Sequence, residues 1–190
     1  DRNIIFSSSA SVYGDPKYLP IDEKALLNPS NPYGKTKLTI EKILIERHKS
    51  DHSWNIAALR YFNPVGAHVS GLIGEDPNGV PNNIMPLIIR VASNQSKRLE
   101  IFGGDYNTKD GTGVRDYIHV TDLAKAHVSA LNSVLNSNSS FLTVNLGTGY
   151  GVTVLELVKT FESVTGKQVP YEIVSRRDGD TEISYADPSL

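Results

Sequence analysis

The sequence predicts an α/β protein built on a parallel sheet. Apolar runs too short to be helices alternate with stretches of helical periodicity. One such helix, at 32–49, lies between two apolar runs at 3–8 and 54–60, which is the βαβ pattern. Composition agrees: of 190 residues, 39% are apolar and 21% charged, enough for one sizeable core and a second small lobe.

Taken in order, residues 3–8 read as a buried strand. For the helix at 32–49, Asn31 is a capping residue, Pro32 suits the first turn, and Leu38, Ile40, Ile43, Leu44 and the stem of Lys37 share broad faces. Residues 54–60 read as the next strand. Residues 61–82 are rich in Gly and Pro with little periodicity and predict one long ordered loop, a kind of segment that is often functional. A helix is predicted at 85–92, a strand at 99–102 and an apolar stretch at 117–120. Helical spacing at 123–135 runs through Leu123, Ala126, His127, Ala130, Leu131 and Val134. The polar run 136–140 reads as a solvated loop, 142–146 as a strand, and Gly147-Thr148-Gly149-Tyr150-Gly151 as a tight turn. Thr153 and Glu156 form a capping-box pattern, Gly166 closes that helix, and 169–174 is the last predicted strand.

Composition also excludes functions. With no Cys, there is no disulfide scaffold and no thiolate metal site. The 19 Lys and Arg face 21 Asp and Glu, so binding nucleic acid through bulk positive charge is not expected. No apolar run approaches the length of a membrane span, and the opening residues lack the basic segment of a secretory signal. A cytoplasmic protein with no membrane partner is the expectation. His119 and His127 sit in apolar contexts and read as core or edge residues; His48 and His52 fall in a polar helix end, and His68 helps to order its loop. No histidine pair has metal spacing with a third ligand.

The sharpest chemical pattern is Tyr33-Gly34-Lys35-Thr36-Lys37. Tyr33 and Lys37 are one turn apart at a helix start, so they share a face. A free phenol, with a pKa near ~10, is too weak an acid to work as a base at neutral pH. An ammonium one turn away stabilises a phenolate, and the pair suits proton transfer with an alcohol or ketone. Alone, the spacing is as compatible with a core Tyr and a solvated Lys. Phe6-Ser7-Ser8-Ser9-Ala10-Ser11-Val12-Tyr13-Gly14 adds hydroxyls at the carboxyl end of the first strand, where open α/β sheets bind ligands.

Together these two blocks resemble the extended short-chain dehydrogenase/reductase family. The blocks Arg60-Tyr61-Phe62-Asn63-Pro64-Val65-Gly66-Ala67-His68, Gly74 through Pro86, and Asp110 through Val120 are similar to its sugar-nucleotide epimerase branch, in the same order and across nearly the whole chain. The resemblance implies NAD as cofactor, a UDP-sugar substrate, and reversible epimerisation at C4 of UDP-glucose and UDP-galactose through a transient 4-keto sugar. It implies Ser9, Tyr33 and Lys37 as catalytic residues, with Lys37 tuning Tyr33, and a cofactor site of Ser9, Tyr33, Lys37 on the nicotinamide ribose, and Tyr61 and Phe62 lining the nicotinamide pocket. It further implies a substrate site of Ser9, Tyr33, Asn63, Asn82, Asn83, Ile84, Ile101, Phe102, Arg115, Arg177 and Asp180. Ser184 falls where the family bounds the sugar, so acceptance of N-acetylated UDP-hexosamines is a further expectation. The fold implied is the carboxyl-terminal part of a Rossmann-type doubly wound sheet plus a smaller α/β sugar-nucleotide lobe. Residues 1–62 and about 116–148 would belong to the first, about 63–115 and 149–190 to the second. A homodimer is implied as well.

Two alternatives stay open: a nucleotide-sugar dehydratase of the same family, or a catalytically silent binding protein on the same fold. The lack of a carboxylate in Ser9-Ala10-Ser11 weighs against the first, and the intact Ser9, Tyr33 and Lys37 against the second. The chain has no G-x-G-x-x-G or G-x-x-G-x-x-G turn. The family carries such a turn on its first strand, so the resemblance implies a portion of a longer enzyme that by itself binds NAD poorly.

Overall fold

The structure is a computed structural model that describes residues 2–190. Its elements run β1 (Arg2–Ser7), a 3-10 turn (Ala10–Val12), α1 (Pro32–Ser50), β2 (Trp54–Tyr61), β3 (Asn63–Val65), α2 (Ile84–Ala92), β4 (Leu99–Phe102), β5 (Val114–Arg115), β6 (Tyr117–His119), α3 (Val120–Leu135), β7 (Phe141–Leu146), β8 (Val152–Thr153), α4 (Val154–Thr165), β9 (Tyr171–Val174) and β10 (Ile183–Ser184).

The central sheet is parallel, in the order β1-β2-β7. Every residue of β2 from Asn55 to Arg60 is buried, as a strand covered on both faces must be. On one face, Ala57 and Leu59 pack with Ala130 and Val134 of α3 and with Ile5, Leu142 and Val144. On the opposite face, Arg60 meets Glu41 of α1. Helices on both faces of a parallel sheet make this a Rossmann-type α/β fold. Ser7 stands opposite Leu59 and Tyr61 opposite Leu146, so the three carboxyl ends finish close together.

The smaller elements form a second packed region. β4 and β9 pair in parallel, from Leu99 with Tyr171 to Phe102 with Val174. Ile88 and Val91 of α2, Leu99 and Ile101 of β4, Leu155 and Val158 of α4, and Val169 close its core. β5 lies between β10 and β8.

Several boundaries differ from the sequence-based expectations, for local reasons. The expected loop at 61–82 opens with β3, whose Pro64 stands opposite Ile118 of β6. This pair joins segments assigned to different lobes. α3 begins at Val120, because the side chain of His119 accepts a hydrogen bond from Thr121 N and caps it. His119 is exposed at the end of β6, opposite Val65, so it is a sheet-edge histidine and not a core one. Half-buried His127 bonds the Ser7 hydroxyl at 3.0 Å and the Leu123 carbonyl at 2.9 Å. β9 starts at Tyr171, while Val169 is a core plug ahead of it, and β10 follows as a later strand. Two-residue strands carry no period, so β5, β8 and β10 left no trace in the sequence pattern.

Asp116 joins β6 to the Gly147 turn and the last segment. It is fully buried, and its carboxylate accepts from Thr148 N (2.8 Å), Thr148 Oγ1 (2.7 Å), Gly149 N (3.0 Å) and Ala186 N (3.1 Å). The glycine-rich turn therefore spends these amides on Asp116 and is a structural turn. Asp116→Ala removes the acceptor of four hydrogen bonds, one of them from the buried Ala186 N, and should cost about 2 kcal/mol in urea denaturation; a loss below ~0.5 kcal/mol would show that the carboxylate is dispensable.

Candidate active site

The first turn of α1 lies against the segment after β1. Asn31 caps the helix, its side-chain oxygen accepting from Gly34 N at 2.8 Å, and Pro32 fills the first position. A Cβ on Gly34 would stand 2.4 Å from the Ser11 carbonyl oxygen, so only glycine allows this approach. Contact with the 3-10 turn brings Tyr33, Lys37 and Ser9 to one end of the sheet.

Ser9 caps that turn. Its Oγ accepts from Ser11 N at 3.2 Å and from Ser11 Oγ at 2.9 Å. Both bonds are accepted, which leaves the Ser9 hydroxyl proton available to an incoming oxygen. Lys37 donates from Nζ to the Ser7 carbonyl at 2.8 Å and lies 5.5 Å from the centre of the Tyr33 ring. Two of its ammonium protons remain for other partners. Tyr33 itself is half-exposed. Burial, then the neighbouring Tyr33 phenol, pushes the Tyr61 phenol above its usual range.

Ser9, Tyr61, Phe62, Asn63, Arg115, Asp180 and Ser184 line one hollow of about 170 Å³. Phe62 is only 5% exposed and packs mainly into the core with Val12, Tyr13 and Leu38. A second cavity, also about 170 Å³, is lined by Asn63, Asn82, Asn83, Ile84, Ile101, Phe102, Arg115, Arg177 and Asp180. Asn63, Arg115 and Asp180 border both, so the two are contiguous. Ile101 is 2% exposed and its side chain belongs to the core, so what it can offer a ligand is main chain.

Asp180 sits between two arginines. Arg115 NH2 donates to its Oδ1 at 3.1 Å, and Arg177 Nε lies 3.5 Å from its Oδ2. Arg177 also stacks on Phe102 at 4.3 Å. Arg115 is thus no partner of the adjacent Asp116. Arg176 is no free basic turn either, since it binds Asp105 at 2.7 Å and covers the Tyr106 ring at 4.0 Å. Two guanidiniums with one carboxylate leave a net positive site, suited to a diphosphate held in bidentate fashion. Among the described residues, no group of three or more His, Asp or Glu is placed to hold a metal ion. Among the described residues, no helix is long and apolar enough to cross a membrane.

The sequence reading overlooked Tyr117, which lines the second cavity, and the buried Glu41–Arg60 pair beneath Ser8. The available signals were an Arg closing an otherwise apolar strand and a Glu two turns beyond Tyr33.

The fold and site define an α/β protein with a Tyr–Lys pair at the carboxyl end of a parallel sheet and a net positive cavity beside it. Residues 1–147 match the NAD dependent epimerase/dehydratase family, and the chain belongs to that family. It is 57% identical over 188 residues to UDP-glucose 4-epimerase of Bacillus subtilis (strain 168), covering 99% of this chain and 55% of that protein. It is 52% identical to the Homo sapiens UDP-glucose 4-epimerase over its whole length, which is 54% of the human protein. The chain thus spans about half the length of these relatives. Among solved structures, it matches the Stenotrophomonas maltophila UDP-glucose-4-epimerase with bound NAD and formylated UDP-arabinopyranose at a TM-score of 0.95 and 51% identity, covering 100% of this chain and 56% of that one. The Bifidobacterium longum enzyme in complex with NAD+ and UDP gives 0.95 and 52%, covering 99% and 56%.

Burial pushes the Tyr117 phenol up to about 12, against the opposing charge of Arg115. The fold favours the neutral phenol, so the stability tied to it is intact below about pH 10 and is lost as pH rises toward about 12. Tyr117→Phe should flatten the fall in stability over that window, read by urea denaturation at stepped alkaline pH. An unchanged slope would contradict the burial.

Proposed function

We propose that these residues form the catalytic and sugar-nucleotide part of a full-length NAD-dependent epimerase that interconverts UDP-glucose and UDP-galactose at C4. The observation that carries the reading is the junction of the two cavities. A UDP moiety in the Arg115–Arg177–Asp180 cavity would present its sugar, past Asn63, to Ser9 and to Tyr61, the neighbour of Tyr33. The relatives crystallised with NAD, and with UDP or a UDP-sugar, support the same ligands here. In this reading, residues 1–62 and about 116–148 serve the cofactor and about 63–115 and 149–190 the sugar nucleotide.

The donor set suits the nicotinamide end of NAD: Lys37 has two free ammonium protons beside Tyr33, at the carboxyl end of a parallel sheet. Lys37 would hold the nicotinamide ribose, with Tyr61 and one face of Phe62 against the ring. Bound NAD supplies the acceptor, and then the donor, of the C4 hydride. Tyr33 takes the proton from O4, and the Ser9 hydroxyl donates a hydrogen bond to the same oxygen. The Lys37 ammonium lies 5.5 Å from the centre of the Tyr33 ring, a cation beside the phenol that takes the proton. Arg115 and Arg177 grip the diphosphate and Asp180 meets a ribose hydroxyl, so the sugar alone can turn and return its other face. Tyr33 then gives the proton back. The dehydratase alternative needs an acid beside Ser9, where Ala10 and Ser11 stand. The nearby Glu41 is 1% exposed and committed to Arg60.

Tyr33→Phe in the full-length protein should lower kcat for UDP-galactose by about 10²–10⁴-fold. UDP affinity, measured by calorimetry, should stay nearly constant. Arg177→Met should do the opposite, weakening UDP by about tenfold or more while kcat changes little. Unchanged turnover in Tyr33→Phe would remove Tyr33 from the chemistry.

A further inference from the structure

Tyr33, Lys37 and Glu41 follow one another at four-residue steps along one face of α1. The last two grip successive residues of the segment that ends β1. Lys37 Nζ donates to the Ser7 carbonyl, and the Ser8 hydroxyl donates to Glu41 Oε1. Ser9 comes next. Glu41 is held from the other side by Arg60 of β2, Nε to Oε1 at 3.0 Å and NH2 to Oε2 at 2.6 Å. Arg60 NH1 also donates to the Tyr13 hydroxyl at 3.1 Å and to the Glu23 carbonyl at 3.2 Å. Tyr13 in turn donates to Asn145 Oδ1 of β7 at 2.6 Å. Burial pushes the Tyr13 phenol up to about 12, so it remains a donor at any working pH.

We propose that Glu41 is a positioning residue that acts through Ser8, setting how the strand end bearing Ser9 stands against the helix bearing Tyr33. The inference rests on the epimerase reading of Ser9 and Tyr33. Three features carry it. The pair is 5% and 1% exposed at the side chains, and a buried ion pair is seldom more stabilising than a well-packed apolar pair. The bidentate geometry removes the freedom of both side chains. The one hydroxyl that Glu41 takes from the strand belongs to the residue before Ser9. Proton transfer to and from one sugar oxygen needs both hydroxyls within reach of it, and a misplacement of about 1 Å can cost about 10²-fold in rate.

Ser8→Ala tests this in the full-length protein, because it cuts the link and leaves the ion pair whole. Turnover of UDP-galactose should fall about tenfold or more with KM within about twofold. With ¹³C-labelled tyrosine, the Tyr33 ring signal, assigned by its loss in Tyr33→Phe, should move. Glu41→Gln should lose at least as much turnover; it strips a buried Arg60 of its charge partner and can fail to fold, so Ser8→Ala decides. A folded Ser8→Ala protein with kcat within about twofold of wild type and an unmoved Tyr33 signal would overturn the proposal. If the wild-type protein does not epimerise at all, the epimerase reading fails, and the Tyr33 signal alone decides the positioning role. A moved signal supports it and an unmoved one overturns it.

Discussion

A buried bidentate ion pair between Glu41 and Arg60 ties α1 to the middle strand of the parallel sheet, and the active end of the molecule is arranged around it. Parallel strands in register finish together, but register alone does not say how a covering helix stands over their ends. Glu41 and Lys37 settle that for β1, and Arg60 carries the tie through Tyr13 to β7. Gly34 permits the other half of the approach, since any side chain there would meet the backbone of Ser11. Tyr33 and Ser9 are therefore placed in part by Glu41 and Arg60, which are buried and line neither cavity.

The second region has different requirements. Its core of Ile88, Leu99, Ile101, Leu155 and Val158 is apolar and ordinary, and its polar groups face one cavity. Asp180 occupies the two arginines in the free protein. A diphosphate would compete for the same guanidiniums, whose charge Asp180 offsets only in part before a ligand arrives. The near-neutral net charge of −2 is consistent with this, because a few placed arginines recognise an anion without a broad basic surface.

Much of this was legible in the sequence. Asn31, Pro32, Thr153, Glu156 and Gly166 marked helix ends through local hydrogen bonds that depend only on near neighbours. The site residues were legible through resemblance, and Tyr33 with Lys37 also through spacing. What escaped depends on pairs far apart in sequence. The role of Asp116 emerges only when the Gly147 turn and Ala186 close over it. Ile101 borders the second cavity, and only the packing of α2 and α4 shows that its side chain belongs to the core. Arg60 and Glu41 lie 19 residues apart on different elements, and only the packing of α1 on β2 makes them a pair.

The most direct test of the central claim is a crystal structure of the full-length protein with NAD and UDP-glucose. The account predicts that the diphosphate lies between Arg115 and Arg177, and that Ser9 Oγ and the Tyr33 hydroxyl both stand within hydrogen-bond distance of the sugar O4. A nucleotide bound outside the Arg115–Arg177 cavity, or an O4 that neither hydroxyl reaches, would contradict it.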